Sequence, residues 1–224
     1  MKWNHIKSKL VQNINDEVKN LIEGASILAF SEDELIKAVC FLRNEKRFEN
    51  AIALIQRLMT ERTNISDNTK NKLMHIQAEC YYDSGDYKRA IAVYDRILLN
   101  GEDVHAFSNR GLAYWAMRDT ERAIDSYKRA AALGPVDHIV LRSIGELHNL
   151  REEYKIALEY LKRAALIKPD DSAIFCALGV SYHNLEDWDQ AYTALERAIE
   201  LDPTNRIAQL GKRKIERHFL SSSS

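Results

Sequence analysis

The chain has 224 residues, 46% of them hydrophobic and 29% charged, with a formal net charge of −1, 3 prolines and 8 glycines. That composition describes a folded, helix-rich chain and excludes a global field able to draw the molecule onto nucleic acid or an anionic membrane by charge alone. Cys40, Cys80 and Cys176 stand far apart with no C-x-x-C pair, which fits neither a disulfide framework nor a cysteine-rich zinc site and predicts a reduced, cytoplasmic protein.

In chain order, Ile6, Leu10, Ile14, Val18, Leu21 and Ile22 form one helical stripe stopped by Gly24, so an N-terminal helix is expected within 1–30. The apolar run at 27–30, "ILAF", is too short for a signal-peptide core or a membrane span, and no membrane insertion is expected. Ser31 with Glu34 reads as a capping box opening the next helix. A first helical pair at 32–65 rests on Leu42, Phe48, Ala51, Ile55 and Leu58. The second, at 71–103, rests on Met74, Ala78, Tyr81, Ala90 and Tyr94 and lacks a closing proline. Ala51 and Ala90 are 39 residues apart, and the surplus is expected as a loop inserted at "RTNISDNTK".

Three further pairs, at 104–137, 138–171 and 172–205, keep one clock. Gly111, Gly145 and Gly179 are 34 residues apart, as are Ala123, Ala157 and Ala191, and Pro135, Pro169 and Pro203. A fixed period of this size marks a repeat array. In the last copy Phe175, Leu178, Gly179 and Tyr182 share one stripe of the first helix, while Ala191, Leu195 and Ala198 share one stripe of the second. These stripes face each other, with glycine and alanine where two backbones approach. Proline then ends the pair. Asp103, Asp137, Asp171 and Asn205 precede each following helix, where a short side-chain oxygen caps free N–H groups. After the last pair, Ile207, Leu210, Gly211 and Ile215 are expected to continue the buried stripe in a capping helix over 206–219. Lys212, Arg213, Lys214 and Arg217 would then face water, and 220–224 would form a disordered tail.

These residues resemble the tetratricopeptide repeat, whose signature is W-x-x-L-G-x-x-Y, then A-x-x-x-F, then P. The last copy matches through Phe175, Leu178, Gly179, Tyr182, Ala191, Leu195 and Pro203, and the one before through Leu141, Ile144, Gly145, His148, Ala157, Leu161 and Pro169. In the copy starting at 104, Phe107, Gly111, Tyr114, Ala123, Tyr127 and Pro135 match, but Arg110 fills the leucine slot, where a looser interface or an outward-snorkelling side chain is expected. The pair at 32–65 is a degenerate copy. The resemblance implies an all-α, right-handed superhelical solenoid of tandem helix-turn-helix repeats. It also implies a concave face, lined by the first helix of each pair, that holds a peptide or helix of a partner protein.

Stepping about 100° around each first helix from the packed stripe identifies the residues that reach that face. They are His75, Glu79 and Tyr82; Ser108, Asn109, Leu112 and Trp115; Arg142, Glu146 and Asn149; and Cys176, Val180 and His183, with Ile36, Cys40 and Arg43 in the degenerate copy. Tyr82, Leu112 and Trp115 would make an aromatic and apolar anchor flanked by Glu79, Arg142 and Glu146; alternatively, Trp115 packs on a neighbouring helix. Repeat domains of this family that clamp the carboxylate tail of heat-shock chaperones need lysines, an arginine and asparagines in set slots. Asn109 fits, whereas His75, Glu79, Ile139 and Ser143 do not, and Glu79 would repel a carboxylate.

No phosphate-cradling glycine loop, G-x-S-x-G or H-E-x-x-H is present, and the seven histidines are scattered, so neither catalysis nor a metal or cofactor is expected. His148, in a tyrosine slot, reads as a core histidine with a local hydrogen bond. The leading expectation is a non-enzymatic adaptor, scaffold or assembly subunit. The alternatives are a chaperone like those of bacterial type III secretion, which an N-terminal helix before tandem repeats resembles, and a self-assembling homo-oligomer. The basic run "GKRKIERH" reads as a solvated face rather than an RNA site, so no nucleic-acid partner is expected.

Overall fold

The structure, a computed structural model, describes residues 27–134 and 137–222. The helix expected within 1–30 lies almost wholly outside these residues, as does Pro135. Among the described residues there are eleven α-helices and no strand, and no helix is long and apolar enough to cross a membrane. The chain divides into two compact units, residues 1–117 and 118–224, with the division in the turn of the repeat at 104–137.

The first unit contains a 3-10 turn, Ile27–Ala29, followed by α1 (Glu32–Asn44), α2 (Phe48–Glu61), α3 (Asp67–Asp83), α4 (Tyr87–Leu99) and α5 (Val104–Ala116). Leu35, Val39 and Leu42 of α1 pack with Ala51, Leu54, Ile55 and Leu58 of α2, and α3 adds Leu73 and Cys80. The opposite side of α3 places Met74, Ala78 and Tyr81 against Ala90, Val93, Tyr94 and Ile97 of α4. One helix thus buries two faces, one in each of two core clusters, and so links successive pairs.

The second unit contains α6 (Thr120–Leu133), α7 (His138–Leu150), α8 (Tyr154–Ile167), α9 (Ser172–Asn184), α10 (Trp188–Leu201) and α11 (Arg206–Ser222). Its interior joins Leu141, Ala157, Leu161 and Ala164 to Ile174, Ala177 and Leu178, and a second cluster joins Ala191, Leu195 and Ala198 to Ala208 and Ile215 of α11. Within each unit, first helices also pack side by side: α1 on α3, α7 on α9, and α9 on α11.

The repeat register is written into burial. Ala51, Ala90, Ala123, Ala157 and Ala191, one per second helix, are all 0% exposed. A Cβ on Gly145 would stand 2.5 Å from Leu161 Cγ, so the small residue is what admits the leucine. The expected caps form: the side chains of Asp103, Asp137, Asp171 and Asn205 accept hydrogen bonds from the N–H groups of Ala106, Ile139, Ala173 and Ala208. Ser31 and Glu34 close their capping box. The turn within each pair carries one residue at positive φ, namely Lys46, Gly85, Arg118, Glu152 and Glu186. In four of these turns the next N–H reaches back to a carbonyl of the preceding helix, from Arg47, Asp86, Glu153 and Asp187 to Leu42, Tyr81, His148 and Tyr182, in the manner of a Schellman cap.

Four expectations change. The surplus near 62–70 is only partly loop: α3 has 17 residues where α5 and α9 have 13, so most of it forms one extra helical turn capped by Ser66. Arg110 neither loosens its interface nor snorkels outward, because its guanidinium donates to Asp95 Oδ1 of α4 at 2.7 Å and lies over the Phe107 ring. In α11 the expected buried stripe holds at Gly211 and Ile215, but Ala208 is fully buried in place of Ile207 and Leu210, which are 66% and 58% exposed. Lys212, expected to face water, lies over the Tyr192 ring and donates to Glu196. The stripe at Ala208, Gly211 and Ile215 is the one that meets α9 and α10, since Leu195 Cδ1 stands 2.9 Å from a Cβ placed on Gly211. Finally, α11 continues through Ser222, into the expected tail, and 223–224 lie outside the described residues.

Candidate functional site

In the first unit, helices α1, α3 and α5 present the side chains expected to line a binding face. Arg43 of α1 reaches across to α3, where its guanidinium donates to the carboxylates of Glu79 and Asp83, the latter from Nε at 3.1 Å. Two carboxylates against one guanidinium leave a net negative patch, although the carboxylate-repelling charge expected at Glu79 is largely offset. Tyr82 packs on Tyr87 with ring centroids 5.3 Å apart, and burial pushes its hydroxyl pKa up, keeping it a neutral hydrogen-bond donor. Beside it, Glu79, Tyr82, Asn109 and Leu112 join Arg43 and Asp83 around a cavity of about 160 Å³. Leu112 is 38% exposed there, and the Asn109 side chain lies beside the phenol of Tyr94 from α4.

A second cavity, of about 320 Å³, adjoins the first through Glu79 and Asn109 and is lined further by Ile36, His75, Lys72 and His105. His75 is fixed there, its Nε2 3.0 Å from Asp103 Oδ2. Asp103 is therefore both a helix cap and the histidine's partner, and its hydrogen bonds from Ala106 and His75 outweigh burial to hold its pKa down. Ser108 and Trp115, also on α5, are half-buried and line neither cavity.

The second unit places the remaining expected residues on α7 and α9. Arg142 Nε stands 3.8 Å from Glu146 Oε1, and burial raises the Glu146 pKa against the opposing pull of Arg142. Asn149, expected to face a ligand, instead ties two helices together: its Nδ2 donates to the Ala177 carbonyl at 3.1 Å and its Oδ1 accepts from Ser181 Oγ at 2.7 Å. Cys176 is buried, which raises its thiol pKa. Val180 and His183 are half-buried. His183 meets the Trp188 ring edge-on at 5.2 Å, and Trp188 in turn stacks on His218 of α11 at 4.3 Å. His148 is the core histidine expected, with Nδ1 2.5 Å from Glu153 Oε2 and its ring stacked on Tyr160.

Lys72, Asp83 and His105 line the two cavities, yet stepping around the helices did not assign them to this face. Lys72 and His105 lie one turn before His75 and Ser108, which is the signal that could have found them. Among the described residues no group of three or more His, Cys, Asp or Glu could hold a metal ion. The two cavities combine apolar walls with fixed charges.

Comparison with known proteins bears on this geometry. Two tetratricopeptide repeat profiles match residues 108–173 and 172–205, and a profile described as anaphase-promoting complex, cyclosome, subunit 3 matches residues 44–130. No curated protein sequence matches the chain. Among solved structures it is similar to MamA, with 21% identity over 72% of this chain and 92% of that one and a TM-score of 0.64. YrrB, titled a TPR protein with an unusual peptide-binding site, gives 20%, 82%, 92% and 0.67 for the same measures. A tetratricopeptide repeat protein from Parabacteroides merdae gives 16%, 82%, 72% and 0.70. At these identities the likeness concerns the fold.

Proposed function

We propose, from the premise that this chain is a tetratricopeptide repeat protein, that it is a non-enzymatic adaptor or assembly subunit gripping a segment of a partner protein along its first helices. Such repeats form a protein–protein interaction fold, and the site residues specify how this one engages. The observation that carries the reading is the cavity of about 160 Å³ in the first unit, where Tyr82 and Leu112 form an apolar wall beside the Arg43, Glu79 and Asp83 charge cluster. An anchor side chain enters against Tyr82 and Leu112, and the charges and Asn109 orient its backbone or a flanking polar group. His75, Ser108 and Trp115 extend the same face on α3 and α5, and Arg142, Glu146, Cys176, Val180 and His183 form a corresponding face on α7 and α9.

The test is affinity capture from native lysate with identification of the bound protein, followed by titration of its purified segment against wild type and the Tyr82→Ala/Leu112→Ala variant. Both side chains are partly exposed, so helicity and melting stay close to wild type while affinity falls by about tenfold or more, the size of a lost anchor. Undiminished affinity in a folded variant removes this cavity from the function.

A further inference from the structure

The last helix was expected to be a lid. In the structure the positions of α11 that would face a following second helix, one period on from Phe175, Leu178, Gly179 and Tyr182, are Gln209, Lys212, Arg213 and Glu216, all polar. These positions offer no apolar stripe to a further helix. The positions one period on from Ala173, Cys176, Val180 and His183 behave differently. They are Ile207, Leu210, Lys214 and Arg217, all exposed, and they extend the candidate binding row of α9 onto α11, which packs directly on it. The adjacency shows in electrostatics, because the positive charges of Lys214 and His218 add to burial in lowering the pKa of His183.

Two features leave this row available to a partner. Ile207 and Leu210 are left 66% and 58% exposed on a helix that buries Ala208 and Ile215 completely. Lys214 and Arg217 make no ion pair among the described residues, whereas Arg43 has Glu79 and Asp83, Arg142 has Glu146, and Lys212 has Glu196. The surface is also held rigid. Trp188 stacks on His218 near the end of α11, and Asn205 at its start caps Ala208 while donating to Ser172 Oγ. A rigid row spends less of its binding energy on ordering.

We propose that α11 is part of the binding face, and that the second unit takes a partner segment in which aliphatic residues are followed by acidic ones. Ile207 and Leu210 receive the aliphatic side chains, and Lys214 and Arg217, one and two turns beyond Leu210, receive the carboxylates. The inference rests on the reading that first-helix rows hold a partner and adds the chemistry of that partner. Charge decides the occupant. Ile207, Leu210 and Leu220 are the exposed aliphatic side chains of α11, too few to hold a membrane surface, and Phe219, 38% exposed, lies off the row formed by Ile207, Leu210, Lys214 and Arg217, which carries no aromatic on which a nucleic-acid base would stack. The chain's own first 26 residues carry Lys2, Lys7, Lys9 and Lys19 against Asp16, Glu17 and Glu23, so as a whole they bear no net negative charge.

The probe is a fluorescein-labelled peptide in which leucines are followed by aspartates and glutamates, titrated into the full chain by fluorescence anisotropy. The controls are a peptide with lysines at the acidic positions, phosphatidylserine vesicles and single-stranded RNA. The acidic peptide binds and weakens with salt. Lys214→Glu/Arg217→Glu lowers its affinity by about tenfold or more, as charge reversal at a pairing site does. Ile207→Ser/Leu210→Ser lowers it as well. The inference is overturned by failure of the acidic peptide to bind, by equal binding of the lysine peptide, or by preference for vesicles or RNA. It is equally overturned if light scattering shows a dimer that Lys214→Glu/Arg217→Glu dissociates, since a second copy then covers the row. Partner capture that depends on Tyr82 and Leu112 but not on α11 sinks this inference alone and leaves the functional reading standing.

Discussion

Leu195 Cγ stands 2.5 Å from where a Cβ on Gly179 would be, and Leu195 Cδ1 stands 2.9 Å from one on Gly211, so a single leucine is clamped between two glycines on two helices. Alanine is the better helix former by about 1 kcal/mol, which alone would make Gly179→Ala stabilising. The clamp reverses the sign. Leu195 is 2% exposed and is blocked by α11 on its far side, so overpacking of about 1–3 kcal/mol prevails. Urea unfolding should show a lower midpoint for Gly179→Ala, and Gly179→Ala/Leu195→Ala should lose less than the two single changes together. A raised midpoint for Gly179→Ala would mean that Leu195 can move aside.

Gly85 occupies the same turn position that Lys46, Arg118, Glu152 and Glu186 occupy with side chains, at φ 84°. No atom lies within 4 Å of a Cβ built there. Gly85→Ala therefore isolates the backbone term and should cost about 1 kcal/mol without any clash. In the converse experiment, Glu152→Gly removes left-handed strain but adds glycine's unfolded-state entropy, and should change stability by less than about 1 kcal/mol. Thermal melts of the two variants test the pair of values, and a neutral Gly85→Ala would contradict the left-handed assignment.

Glu32 ties the start of α1 to the cap of α3. Its carboxylate accepts from Thr69 Oγ1, from Ser66 Oγ at 2.7 Å and from the Ser66 N–H at 3.1 Å, and these bonds hold its pKa near 2 against an ordinary 4.5. The folded-state pKa is depressed, so this stabilisation is complete above 4.5 and is lost as pH falls towards 2. Comparing wild type with Glu32→Gln in chemical unfolding across that window should show the difference in stability shrinking with acidity. A gap that stays constant with pH would mean that the carboxylate charge contributes nothing there.

Asn149 both donates to the Ala177 carbonyl and accepts from Ser181, bonds that join α7 to α9. Asn149→Ala should cost about 1–2 kcal/mol, the worth of the bonds it removes at a partly buried site. Asn149→Asp should cost more, since it keeps the acceptor for Ser181 but turns a second oxygen towards the carbonyl. Equal costs for the two variants would mean that the donor bond to Ala177 carries no weight.

What could be read in advance followed from local chemistry repeated at a fixed interval. The glycine and alanine positions, the Asp and Asn caps and the proline stops each depend on neighbours within a few residues, so a 34-residue spacing was enough to place α7 to α10. The site was only partly legible. Stepping around a helix placed Glu79, Tyr82, Asn109 and Leu112 on one face, and they do meet at one cavity. It could not tell Asn149, consumed by Ala177 and Ser181, from a residue left open to a partner. Nor could it see that Arg43 would satisfy Glu79 from another helix.

The sequence by itself determined the repeat and the identity of the small residues at each crossing, because these depend on helix period and capping, which are local. Only the tertiary structure decided the rotational phase of α11, the conversion of the surplus before Ala78 into a helical turn, and which polar groups on the candidate face are already spent. Those outcomes depend on what the neighbouring helix presents. An exposed Leu210 and a buried Ile215 differ in contact with α9 and α10, not in chemistry, and no spacing along one strand of sequence encodes that contact.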